Sequence, residues 1–72
     1  MEEVEIVTLS DKRYYLMDRV ELNSSTYLVL VNINDEKDVC VRKEVEKEGK
    51  KYLVGLSSDE ELQSVLKEFA YN

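Results

Sequence analysis

The chain has 72 residues, with 10 Lys and Arg against 16 Asp and Glu, no His, Pro or Trp, and a single Cys. Its net charge of −6 works against phosphate backbones, since nucleic-acid affinity comes largely from cations that displace condensed counterions, and direct nucleic-acid binding is disfavoured. This length allows one domain, residues 1–72, burying about 60 to 65 per cent of its unfolded surface, and an apolar content of 43% is enough to fold it despite 36% charged residues.

Period-2 alternation governs the first three quarters of the chain. A strand is expected at about 4–9, from Val4 to Leu9, followed by the polar stretch Ser10-Asp11-Lys12-Arg13. The second is expected at about 14–22, with Tyr14, Leu16, Val20 and Leu22 on one face, Asp18 as an exception, and Met17, Arg19 and Glu21 on the other. Asn23-Ser24-Ser25 supplies turn residues, and a third strand follows at about 26–33. Its run from Tyr27 to Val31 is apolar on both faces, which suits a central strand covered on both sides. Residues Asn34 to Asp38 break it. The fourth strand, at about 39–46, alternates through Val39, Val41 and Val45, and Gly49 in the next turn can take positive φ at little steric cost. The fifth strand is expected at about 51–56.

The period then changes. Ser58-Asp59-Glu60-Glu61 reads as a capping box that opens a helix at about 58–70, and Leu62, Val65, Leu66 and Phe69 form one apolar stripe. A helix of this length is marginal in water, so the stripe must dock on the strands. Val20-Glu21 before Tyr27-Leu28-Val29 is echoed 25 residues later by Val45-Glu46 before Tyr52-Leu53-Val54, which reads as two similar hairpins. The expected fold class is α+β, a five-stranded antiparallel β-meander, barrel-like in its more closed version, packed by one C-terminal α-helix.

Little chemistry is on offer. Without histidine there is no Ser-His or Cys-His couple and no His-based metal site. Cys40 is a nucleophile only if a neighbour such as Arg42 lowers its pKa; its ordinary role is packing beside Val39 and Val41. Asn32, Asn34, Asp35, Glu36 and Asp38 hold oxygen ligands but lack the twelve-residue, glycine-centred pattern of a calcium loop. No glycine-rich phosphate loop exists, so no enzyme activity, cofactor or metal is expected.

Interaction surfaces are easier to nominate. Arg42, Lys43, Lys47, Lys50 and Lys51 form a basic patch that reads as a solvated hairpin surface. Among the five tyrosines, Tyr14, Tyr15, Tyr27, Tyr52 and Tyr71, matching parity places Tyr14 and Tyr27 toward the core and Tyr15 with Met17 on the opposite side. Tyr15 and Met17 are therefore candidate partner contacts, as are Glu60 and Glu61 in the acidic opening of the helix. Lone Cys40 and the Met1-Glu2-Glu3 opening, which lacks the regions of a secretion signal, point to a reducing cytoplasm. The longest apolar run is too short for a membrane span, and no membrane association is expected.

Ile6-Val7-Thr8-Leu9, Val20-Glu21-Leu22 with Thr26-Tyr27-Leu28-Val29-Leu30, and Lys50-Lys51-Tyr52-Leu53-Val54 with Asp59-Glu60-Glu61-Leu62, Val65 and Phe69 form a pattern spanning nearly the whole chain. It resembles the YrzB-like small acidic bacterial domains of unknown function, common in Firmicutes. The resemblance implies a cytoplasmic bacterial setting and carries no catalytic residues with it. The leading functional expectation is a noncatalytic cytosolic protein-interaction domain. Its protein partner would meet a sheet edge, Val4 to Leu9 or Val39 to Val45, with homodimerisation through such an edge as one form and acidic flanks selecting basic partners. The alternative is a phage or mobile-element inhibitor whose carboxylates imitate nucleic-acid phosphates. A small nucleic-acid binder using Lys43, Lys47, Lys50 and Lys51 ranks third.

Overall fold

The structure is a computed structural model that describes residues 5–70; Val4, the expected start of the first strand, and Tyr71 lie outside the described residues. Five strands follow one another in meander order: β1 (Ile6–Leu9), β2 (Lys12–Leu22), β3 (Ser25–Asn32), β4 (Asp35–Lys47) and β5 (Lys50–Val54). All pairings are antiparallel, and the helix α1 (Asp59–Ala70) closes the chain. The expected α+β meander with a C-terminal helix is what the chain forms.

Three hairpins turn on two residues that both have positive φ: Ser10 and Asp11, Asn23 and Ser24, and Glu48 and Gly49. Such turns match the right-handed twist of the flanking strands, which is why the sheet can run through short connections. The β3–β4 connection differs. Asn32 Oδ1 accepts from the Asn34 N–H at 2.8 Å and Asp35 Oδ1 accepts from the Lys37 N–H at 3.1 Å. The polar stretch expected to break the chain as far as Asp38 therefore holds only a turn at Ile33 and Asn34, and β4 begins at Asp35. Register steps from Val31↔Val39 to Asn32↔Asp35, leaving Glu36, Lys37 and Asp38 in a bulge.

Tyr27 to Val31 are all buried, as expected for a central strand. Odd-numbered residues of β3 face the helix, where Tyr27 and Val29 pack with Val20, Val41 and Val65. Even-numbered Leu28 and Leu30 face the other way and pack with Tyr14, Val7, Leu9, Leu16, Cys40 and Leu53. This second cluster has no helix over it. It is closed by curvature, since β1 at one edge of the sheet and β5 at the other both contribute side chains to it, giving a curled half-barrel.

One expectation about faces is overturned. Tyr14, Leu16, Val20 and Leu22 do not share a face, because the pairing of β2 with β3 steps from Leu16↔Leu30 to Asp18↔Val29 and leaves Met17 as an extra residue. A one-residue bulge reverses the phase of every later side chain. Tyr14 and Leu16 therefore fill the inner cluster while Val20 and Leu22 fill the helix-side one, and Tyr14 and Tyr27 lie on opposite faces. Asp18, read as an exception to the alternation, accepts from the Arg19 N–H at 2.8 Å beside the bulge.

The helix lays the expected stripe on the sheet. Val65 is fully buried, and Leu62, Leu66 and Phe69 pack around it with Leu22 and Leu56. Asp59, Glu60 and Glu61 occupy the first turn and Lys67 the last, each sign at the favourable end of the helix dipole. Deleting Met17 should restore unbroken pairing from Leu16↔Leu30 to Asp18↔Val29 and leave Val20 and Leu22 on the helix side, so the deletion should be tolerated, costing on the order of 1 kcal/mol or less in urea denaturation. Met17→Ala, at a side chain 44% exposed in the bulge, should change stability by no more than about 0.5 kcal/mol.

Candidate functional site

The helix N-terminus is tied to the sheet by one carboxylate. Ser58 Oγ accepts from the Glu61 N–H at 3.2 Å, half of the expected capping box. Glu61 reaches back one residue further than that motif requires: its Oε1 accepts from the Ser57 N–H at 2.9 Å and the Ser57 hydroxyl at 3.1 Å. Its other oxygen accepts from the Tyr27 hydroxyl at 2.5 Å and lies 3.8 Å from Lys43 Nζ. The Tyr27 hydrogen bond, followed by the Ser57 N–H, holds the Glu61 carboxyl below the usual carboxylate range, and the same bond raises the Tyr27 phenol. Glu61 therefore joins helix start, preceding loop and central strand.

A second carboxylate secures the β3–β4 corner. Asp38 Oδ2 accepts from the Tyr14 hydroxyl at 3.0 Å and from Asn32 Nδ2 at 3.1 Å. These bonds, Asn32's first, lower the Asp38 pKa. The side chains of Asn32, Asp35 and Asp38 are thus engaged in turn and corner hydrogen bonds, and no cluster of three or more metal-ligating side chains occurs among the described residues. Nearby, burial pushes the Cys40 thiol up; Arg42 pulls the other way and is outweighed, so the group stays a protonated thiol at neutral pH.

The inner face is crossed by a chain of charges. Glu5, just ahead of β1, lies 3.4 Å from Arg19 of β2, Arg19 lies 3.7 Å from Glu44 of β4, and Glu44 lies 3.8 Å from Lys51 of β5. Arg19 reaches Glu44 over the intervening β3, an arrangement the curl of the sheet permits. Each exposed pair contributes little by itself, but the series links the two edges of the half-barrel.

An open surface lies beside β4. The strand β5 pairs only with Lys43 to Lys47, so no described strand covers the outer edge of Val39–Arg42. Next to that edge runs an open groove of about 640 Å³ whose apolar lining is Val39, Val41, Leu56, Leu62 and Leu66. Val39 is 47% exposed at its rim, and Asp59 from the helix start and Arg42 from the strand add charges of opposite sign. The Val41 carbonyl accepts from Arg42 Nη1 at 2.9 Å.

The four candidate contact residues are dispersed. Tyr15 is half-buried and registers between Ile6 and Val31, and Met17, two residues on, is the exposed extra residue of the bulge. Glu60 is exposed in the first turn, and Glu61 is spent on Tyr27, Ser57 and Lys43. The edge at Val39, named from the alternation, is the part of the nominated surface that coincides with a groove. The Tyr27–Glu61 bond and the Arg19 chain carried no sequence signal, because each joins residues far apart in the chain.

A family model described as "Protein of unknown function (DUF1292)" matches residues 1–71. No curated protein and no solved structure matches the chain. The low pKa values of Glu61 and Asp38 set the acid limb of stability: what they contribute is present above their unfolded values, 4.5 and 3.8, and is lost as pH falls through the lower folded ones. Glu61→Gln should lower the melting temperature at neutral pH and flatten its decline between about pH 5 and about pH 3, read by thermal denaturation across that range.

Proposed function

The chain belongs to the DUF1292 family, and from that premise we propose that it is a noncatalytic domain that works through protein contacts. The observation that carries the reading is the conjunction at β4: an unpaired stretch of strand, an exposed Val39, and an apolar groove walled by Leu56, Leu62 and Leu66. A bare strand edge offers backbone hydrogen bonds and a neighbouring groove offers side-chain selectivity, the two elements of recognition by strand addition. Asp38 next to the stretch and Asp59 in the groove lining favour basic residues in a partner. We further read the domain as YrzB-like, cytoplasmic and bacterial, on the residues that carry that resemblance and on the unpaired thiol of Cys40. No helix among the described residues is long and apolar enough to cross a membrane.

Phosphate mimicry is the weaker reading. It needs a row of unopposed carboxylates, whereas Glu5, Glu44 and Glu61 are each paired with Arg19, Lys51 or Lys43. The test is capture from native lysate of the source cells on immobilised chain, with Val39→Asp as control. The reading predicts a specific protein held by the original chain and lost from the variant. Proteins held equally by both, or none held by either, would contradict it.

A further inference from the structure

We propose that the open stretch of β4 pairs with the same stretch of a second copy, antiparallel, about a two-fold axis at Cys40. The inference deepens the reading of a protein-contact domain by naming the surface, the register and one partner.

The geometry follows from the hairpin that precedes β5. Lys47 and Lys50 flank a two-residue turn and so exchange hydrogen bonds. Alternation along β4 then directs the N–H and C=O groups of Val45, Lys43, Val41 and Val39 toward the β5 side. The Val41 carbonyl agrees, since it accepts from a side chain, the guanidinium of the adjacent Arg42. Beyond the reach of β5, Val39 and Val41 are therefore the two residues whose backbone groups face the open edge. Lys37 is next in the series, but it lies in the bulge and gives its N–H to Asp35.

Only one antiparallel register uses both open residues of both copies: Val39 opposite Val41 of the second copy, and the reverse. It forms four backbone hydrogen bonds and brings Cys40 opposite Cys40. It also sets Asp38 of each copy against Arg42 of the other, on the same face of the sheet. Centring on Val39 instead would require Lys37 to abandon Asp35 and would oppose Asp38 to a thiol. The charges are thus complementary in the register that the backbone requires. Arg42 has a role in both states. In the single chain it caps the Val41 carbonyl; on pairing, the incoming Val39 N–H takes that carbonyl and the guanidinium turns to the second copy's Asp38, whose Oδ1 carries no hydrogen bond among the described residues. On the helix side the exposed Val39 of each copy lies beside the other's Val41 and groove.

Cys40 reports the register without any substitution. A non-hydrogen-bonded antiparallel pair brings Cα atoms to about 4.5 Å, within the range a disulfide spans. Diamide, which takes two hydrogen atoms from two thiols, should link Cys40 to Cys40 in the purified chain under native conditions. Sedimentation equilibrium at high-micromolar concentration should show a reversible dimer of the reduced chain. Arg42→Glu, which opposes two carboxylates at each end, should weaken it at least about tenfold, and Val39→Asp should leave a monomer with an unchanged circular dichroism spectrum. A reduced chain that stays monomeric, or a dimer that Val39→Asp leaves intact, would overturn the proposal. A monomer that still captures a protein from lysate through Val39 would defeat self-pairing alone and leave the protein-contact reading standing.

Discussion

The strand β3 must be covered on both faces, and the remainder of the architecture answers that requirement. Five consecutive apolar residues, Tyr27 to Val31, are buried in the middle of the sheet. A domain of this size cannot place a separate layer on each side of a strand. It meets the need in two ways: the helix covers Tyr27 and Val29, and the sheet curls over Leu28 and Leu30 with side chains from β1, β2, β4 and β5. The bulge at Met17 reverses the phase of β2, so Tyr14 and Leu16 go to the inner cluster and Val20 and Leu22 to the helix side.

Much of this was legible in the sequence. Turn residues and alternation marked all five strands, and the spacing of Leu62, Val65, Leu66 and Phe69 after Ser58 marked the helix and its buried face. The two-sided burial of β3 was legible because Tyr27 to Val31 hold no polar residue. The phase change in β2 was not. Leu16-Met17-Asp18 reads as regular alternation with one polar lapse, and a bulge is set by how a strand registers on its neighbour, which local pattern does not record. The early start of β4 was hidden for a related reason: Asp35 to Asp38 have turn-like composition, yet Asp35 and Asp38 use their carboxylates to brace a bulged strand.

The polar groups fall into two kinds. Glu61 and Asp38 are structural, each gathering a tyrosine hydroxyl and further donors where elements meet. The open edge at Val39 and Val41 is the contrasting case. Short or charged edges limit unwanted pairing, and here the bulge on one side and β5 on the other confine the bare stretch to a few residues. Arg42 caps its outward carbonyl from within the same strand. An edge so restricted suits the proposed pairing, in one register and with matched charges, better than indiscriminate sheet extension.

Helix and sheet form one cooperative unit, joined at Val65 and through Glu61. Native-state hydrogen exchange, followed with increasing denaturant, tests it most directly. The amides of Leu28 to Val31 and those around Val65 should exchange with the same free energy and the same denaturant dependence, as parts of a single global opening. Helix amides exchanging through a separate, much lower-energy opening while β3 stays protected would contradict it.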